Sequence, residues 1–243
     1  MTPERTWKAT PEATWETTPD AIPEATWEAA PDATSPGAIV GLFADVHGAH
    51  AALNAALVRC RTEGVTTIAL LGDLIDRVEQ ADGCTDALAG WDVIGVYGNH
   101  EREIALAAAK RDLGLRPDTV RLLSGLRERV FIGDACLLHE GGEWENANAA
   151  TRLFRPPEWD EDATDEDTIA VARARVTFAG HTHYRQVRDE RGMVDIARGT
   201  LALRPHRRYL INPGALSADQ FAIWDRVTDR IRFCQVASGG RNV

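Results

Sequence analysis

Val176-Thr177-Phe178-Ala179-Gly180-His181-Thr182-His183 is the stretch that decides the fold. An apolar run of strand length ends in a glycine, and two imidazoles one residue apart follow it. On a tight loop after a strand, two such rings can serve two neighbouring metal ions. Four other stretches share the layout of an apolar run that ends in ligand-type side chains: Asp45-Val46-His47, Gly72-Asp73, Gly98-Asn99-His100-Glu101 and His139. Each is weak alone, since a Gly-Asp after a strand is usually a turn and a lone histidine is usually structural. Five in one chain point to a two-metal hydrolytic site.

Outward from those ends, the runs at 39–44, 67–71 and 93–97 read as short buried strands. Between the first two, Leu53, Ala56, Leu57 and Cys60 recur at helical spacing over 50–63, and Gly64 closes that helix as a C-cap. Helices are also expected at 84–89, 101–111, 117–126, where Pro117 opens the segment, and 168–175. Beyond residue 128 the pattern is mostly β. Hairpins are expected around Gly133-Asp134, Glu190-Arg191-Gly192 and Thr228-Asp229, and Leu210-Ile211 leads into Asn212-Pro213-Gly214. A β-α-β-α half followed by a β half is satisfied by two packed sheets flanked by helices.

Residues 1–36 stand apart. Pro-Glu-x-Thr-Trp recurs at Pro3, Pro11 and Pro23, with truncated copies at Pro19 and Pro31. Regular proline blocks helices and ladders, and one Trp per unit buries too little apolar surface to order the chain. This segment reads as a disordered acidic tail before a domain at 37–243, the alternative being a partner motif that uses the tryptophans. The acidic run within 156–167 reads as a solvated loop.

A net charge of −10 argues against general nucleic-acid binding. It leaves room for a phosphorylated substrate, because bound metal ions carry the local positive charge. The four cysteines are scattered, with no Cys-x-x-Cys pair; Cys60, Cys136 and Cys234 read as buried thiols of a reduced, cytoplasmic protein. There is no apolar signal region and no run long enough to cross a membrane. Carboxylate and amide oxygens mixed with imidazole suit Mn²⁺, Fe²⁺, Co²⁺ or Zn²⁺, and the lack of thiolate candidates argues against a closed structural zinc site. Two ions about 3.5–4 Å apart need a bridging carboxylate. Asp73, at the end of the central expected strand, is the natural bridge.

In order, the five stretches match D-x-H, G-D-x-x-D, G-N-H-[DE], a strand-end His and G-H-x-H. On them the chain resembles the calcineurin-like metallophosphoesterase superfamily over residues 39–236, closest to its short bacterial phosphodiesterase and phosphatase members. The resemblance implies an α/β fold, a four-layer α/β/β/α sandwich with two mixed sheets. It implies two divalent ions, Mn²⁺ first with Fe, Co, Zn or Ni as alternatives. Asp45, His47, Asp73 and His183 would hold one; Asp73, Asn99, His139 and His181 would hold the other. A hydroxide between the ions would attack a phosphodiester or phosphomonoester. His100 would be the general acid, oriented by a hydrogen bond to Asp76, with Arg77 and Asn99 binding the phosphate. Asn212-Pro213-Gly214 resembles the bacterial members, whereas Asp76-Arg77 and Glu101 resemble protein phosphatases and dinucleoside tetraphosphatases. Tyr97 stands where protein phosphatases carry Arg, and Glu140 separates His139 from the glycine that usually follows it. A non-catalytic scaffold with this fold is the alternative of another class; the complete ligand set argues against it.

Overall fold

The apolar runs form strands buried on both faces, which is why they lack polar alternation. The computed structural model describes residues 39–108, 113–139 and 174–236. The 1–36 repeat, the 156–167 loop and most of the helix expected at 168–175 lie outside them.

Strands β1 (Ile39–Phe43), β2 (Thr67–Leu71) and β3 (Asp92–Val96) alternate with helices α1 (His50–Thr62), α2 (Ala81–Leu88) and α3 (Asn99–Ala108), and α4 (Pro117–Gly125) follows. Then come β4 (Arg129–Ile132), β5 (Ala135–Leu138), β6 (Val176–Ala179), β7 (Gln186–Asp189), β8 (Gly192–Met193), β9 (Thr200–Ala202), β10 (Tyr209–Asn212), β11 (Gln220–Asp225) and β12 (Arg230–Gln235). They make two mixed six-stranded sheets, ordered β3-β2-β1-β11-β12-β9 and β4-β5-β6-β10-β7-β8. Strands β1, β2 and β3 run parallel, as do β5, β6 and β10. The carboxyl ends of both sets meet at one end of the sandwich, where His139 bonds Leu71 and His181 bonds Asp45.

The period-two alternation of a strand assigns each side chain to a layer. From β1, Val40 and Leu42 face the second sheet, packing with Leu71, Phe178, Ile211 and Trp224. Phe43 faces the other way, into a core shared with Leu53 and Leu57 of α1, Cys84 and Leu88 of α2 and Leu122 of α4. Helix α1 ends in a Schellman turn: Val65 N–H donates to Cys60 O and Gly64 N–H to Arg61 O, with Gly64 at φ +71°. All four cysteines are buried free thiols. Helix layer, sheet and sheet are thus three of the four expected layers. Cys136, Leu138, Ala179 and Leu210 make a further apolar cluster with Ala174, which stands near the end of the segment expected to be helical over 168–175.

Some boundaries differ from expectation. α2 begins at Ala81 and α3 at Asn99. β9, a three-residue edge strand that the sequence pattern did not mark, is held by its pairing with β12. β2 lies second from the sheet edge, between β1 and β3, so it is not the central strand. No helix among the described residues is long and apolar enough to cross a membrane.

Candidate metal centre

Five residues that sequence reading marked as ligands have left-handed backbone: Asp45 at φ +52°, His47 at +50°, Asp73 at +51°, His181 at +69° and His183 at +61°. Such a conformation costs a non-glycine residue about 1–2 kcal/mol. Five of them within one cluster approach the whole net stability of an ordinary domain, about 5–15 kcal/mol. The surroundings must therefore impose these conformations.

They do so by cross-bonding the strand-end loops. Asp45 N–H donates to Gly72 O (3.1 Å) and His47 N–H to Asp73 O (2.9 Å), which carries the β1–β2 pairing past the strand ends. Two glycines permit the close approach. A Cβ on Gly98 would stand 2.0 Å from Asp73 Oδ1, and one on Gly72 would stand 2.4 Å from the His139 ring.

Three side chains outside the expected ligand set hold these loops. Glu101, buried, accepts N–H bonds from Asp73 (2.9 Å), Ile75 (2.9 Å) and Gly98 (2.7 Å), tying the loops after β2 and β3 together. Burial nevertheless pushes its carboxyl up. Asn212, fully buried, donates to Gly180 O (2.8 Å) and Thr182 Oγ1 (3.1 Å), and its Oδ1 accepts from Gly214 N–H (2.8 Å). Arg185 donates to three backbone carbonyls, Pro213 O (3.0 Å), Phe221 O (3.4 Å) and Cys234 O, bracing the same loop against the first sheet. The signals for Glu101 and Asn212 were in the sequence, in G-N-H-E and N-P-G. Arg185 carries no motif.

The side chains converge in three groups whose ligand atoms lie within 4.8 Å of one another: Asp45 with His47 and His183, Asp73 with His139 and His181, and His47 with Asp73 and His100. The first two each hold three of the four residues of an expected ligand set; the first lacks Asp73 and the second lacks Asn99. Asn99 Oδ1 lies 3.3 Å from His139 Nε2.

Ring orientation fits ligation. His139 Nδ1 donates to Leu71 O at 2.7 Å, and His47 Nδ1 donates to Asp76, which leaves Nε2 of each ring facing inward, where it would ligate a metal. His47 Nε2 and His183 Nε2 stand 3.0 Å apart. Two facing lone pairs at that distance repel unless a proton or a cation lies between them. Asp45 Oδ1 accepts from His181 N–H (2.9 Å), whereas Oδ2 is buried without a partner among the described residues. A buried unpaired carboxylate oxygen is costly, and burial pushes the Asp45 carboxyl up against the pull of His139 and His183. Burial also raises Asp73, but His139, 3.2 Å away, and the N–H of His100 outweigh it and hold that carboxyl below the usual range. Burial disfavours the charged His139 ring, and Asp73 outweighs it to raise the ring. The orphaned oxygen, facing nitrogens and mixed donors all fit divalent cations.

Asp76 differs from expectation. Its carboxylate bonds His47 and stands 3.7 Å from His100 Nδ1, beyond hydrogen-bond reach. The backbone N–H groups of Asp76 and Arg77 both donate to Gln80 Oε1 (2.8 and 3.0 Å), a turn that aims the carboxylate at the nearer ring. His100 lies in the first turn of α3, its Nε2 4.0 Å from Asp73 Oδ2. Arg77 is exposed at the rim.

The model of the calcineurin-like phosphoesterase superfamily domain matches residues 39–225. An uncharacterized protein of Methanocaldococcus jannaschii is 23% identical over 190 residues, 74% of this chain and 76% of that protein. The crystal structure of a metallophosphoesterase from Sphaerobacter thermophilus has a TM-score of 0.59 at 21% identity, covering 82% of this chain and 88% of that one. The structure of an archaeal phosphodiesterase has a TM-score of 0.49 at 16% identity, covering 81% and 99%.

Proposed function

We infer, from the premise that this chain belongs to the calcineurin-like phosphoesterase superfamily, that it is a metal-dependent hydrolase of phosphomonoesters or phosphodiesters. One observation carries the reading: five candidate ligands in costly left-handed conformations converge on common points, with a buried Asp45 oxygen left unpartnered. Strain kept at one place is a mark of function.

Asp45, His47, Asp73 and His183 would hold one divalent ion, and Asp73, Asn99, His139 and His181 a second. Mn²⁺ is the first choice, with Fe, Co, Zn or Ni as alternatives. Such ions supply positive charge for the phosphoryl oxygens and acidify water. The remaining work falls to the protein. His100, half-exposed beside Asp73, donates a proton to the departing oxygen. The N-terminus of α3 adds partial positive charge next to the phosphate. Asp76 fixes the His47 ring, as carboxylates fix ligating histidines. Arg77 offers its planar fork to a phosphate oxygen from the rim. Glu101, Asn212 and Arg185 keep the loops from relaxing.

The test is a panel of phosphomonoesters, phosphodiesters, cyclic nucleotides and dinucleoside polyphosphates with Mn²⁺ added. Turnover of at least one class, abolished by a chelator and restored by metal, is expected. No turnover above free metal on any class contradicts the proposal.

A further inference from the structure

The Asp76 carboxylate stands between two imidazoles, one an expected metal ligand and the other the proposed general acid. It bonds His47 Nδ1 and lies 3.7 Å from His100 Nδ1, and the two rings sit 5.4 Å apart, edge to face. A shift of less than about 1 Å would bond it to His100. Asp76 is exposed, so burial does not choose between the rings. Its neighbours must hold it on His47.

Gln80 is placed to do so. It closes the short 3₁₀ turn Val78–Gln80, its N–H donating to Arg77 O at 3.0 Å. Its side-chain Oε1 accepts from the N–H groups of Asp76 (2.8 Å) and Arg77 (3.0 Å), and its Nε2 donates to His47 O at 3.4 Å. One amide, both donor and acceptor, thus ties the Asp76 backbone to the loop that carries His47. Gly48 lets that amide come close, since a Cβ there would stand 2.3 Å from Gln80 Cδ. The backbone of Gln80 is tethered in turn. Its carbonyl accepts from His50 Nε2 at 3.2 Å, at the start of α1.

We propose that Gln80 is a positioning residue of the metal centre, whose amide commits the Asp76 carboxylate to His47 over His100. The proposal rests on the reading of His47 as a ligand and adds a residue that touches neither ion nor substrate. A carboxylate on the outer nitrogen of a ligating histidine fixes the ring and raises its basicity. Glutamate at position 80 would keep the acceptor for the two N–H groups and lose the donor. Methionine, of similar length, would lose both.

The first readout is NMR of the metal-free full chain, above the pH at which either ring titrates. Long-range proton–nitrogen correlations show which nitrogen of each ring carries the proton. In the wild type the His47 proton is on Nδ1. In Gln80→Met it moves toward Nε2, and His100 shows the opposite change; Gln80→Glu resembles the wild type. Gln80→Ala, which leaves no long side chain to misplace, behaves as Gln80→Met. The second readout is Mn²⁺ uptake, by competition with a metal-binding dye. Gln80→Met weakens one ion by about 10–100-fold and leaves the other, and Gln80→Glu restores most of the loss. In an Asp76→Ala background Gln80→Met costs nothing further, because it acts through that carboxylate. A His47 proton that stays on Nδ1 in Gln80→Met and Gln80→Ala overturns the proposal. So do equal losses of Mn²⁺ affinity in Gln80→Met and Gln80→Glu, or losses that add in the double variant. A wild-type chain that takes up no Mn²⁺ contradicts the metal reading instead, and the metal-free spectra still decide the role of Gln80.

Discussion

The two ends of the sandwich are made from the same strands and differ in how their turns are held. At the metal end, six non-glycine residues have left-handed backbone: Asp45, His47, Asp73, His181, His183 and Asp219. At the other end, among the described residues, there is one, Asp229. The quiet end turns through local devices: Asp225 accepts from Val227 N–H (2.9 Å), Thr228 N–H (3.2 Å) and Thr228 Oγ1 (2.7 Å). The metal end is held by bonds between residues distant in sequence, through Glu101, Asn212 and Arg185. One end therefore closes the chain economically, while the other is held in an unfavourable shape for what it binds.

The largest expected effect is at Asp73. Asp73→Asn keeps the shape but removes the charge that the two proposed ion sites would share, so activity should fall nearly to background and at least one ion should be lost. Normal turnover with two ions bound would put the shared carboxylate elsewhere. His100→Asn comes next. A positioned general acid contributes about 10²–10⁴-fold, so loss of that order is expected on alkyl phosphoesters and much less on nitrophenyl ones, whose leaving group departs unprotonated. Equal losses on both, with metal retained, would make His100 a phosphate binder.

Asn212→Ala sharpens the comparison, because it touches no expected ligand. Removing a residue that orients ligands typically costs about 10–100-fold in metal affinity. That loss, measured by competition with a metal-binding dye, should exceed anything produced by substitutions at the quiet end. Metal removal should then appear in stability. An ion at a hundred times its dissociation constant contributes about 2.7 kcal/mol, or about 5–10 °C in a chain this size. A chelator should lower the melting temperature by at least that much, and no shift would mean that the strained loops are held without ions.

The smallest effect is at Asp225. Its hydrogen bond from Thr228, with the Val227 and Thr228 N–H groups, holds the carboxyl below its ordinary range. The folded pKa lies below the unfolded one, so the contribution is fully present above about pH 4 and is lost as pH falls through the folded value. Asp225→Asn should cost no more than about 4 °C near neutral pH, and the gap to wild type should close in acid. A gap that widens in acid would reverse the assigned sign.

The metal end was easier to read from the sequence because each strand there is a short apolar run punctuated by Gly, Asp or His, a local signal. The expected metal ligands were picked out by that signal. What holds those ligands was legible only in part: Glu101 and Asn212 stand in the motifs G-N-H-E and N-P-G, which do not record what they bond, and Arg185 carries no motif. Asn212 and Glu101 act on backbone groups far along the chain, and no periodicity records a side chain bonded to a distant N–H or carbonyl. The partner of Asp76 failed for the same reason, since its choice between His47 and His100 is set by the Gln80 turn. β9 has three residues and is held in the sheet by β12, a pairing that no local pattern records.

The central claim is that the strained loops exist to hold two ions, and elemental analysis of the purified chain tests it most directly. After reconstitution with Mn²⁺ and removal of free metal, two ions per wild-type chain are expected, with His183→Ala and His139→Ala each keeping at most one. A wild-type chain that binds none, or one that either substitution leaves unchanged, contradicts the claim.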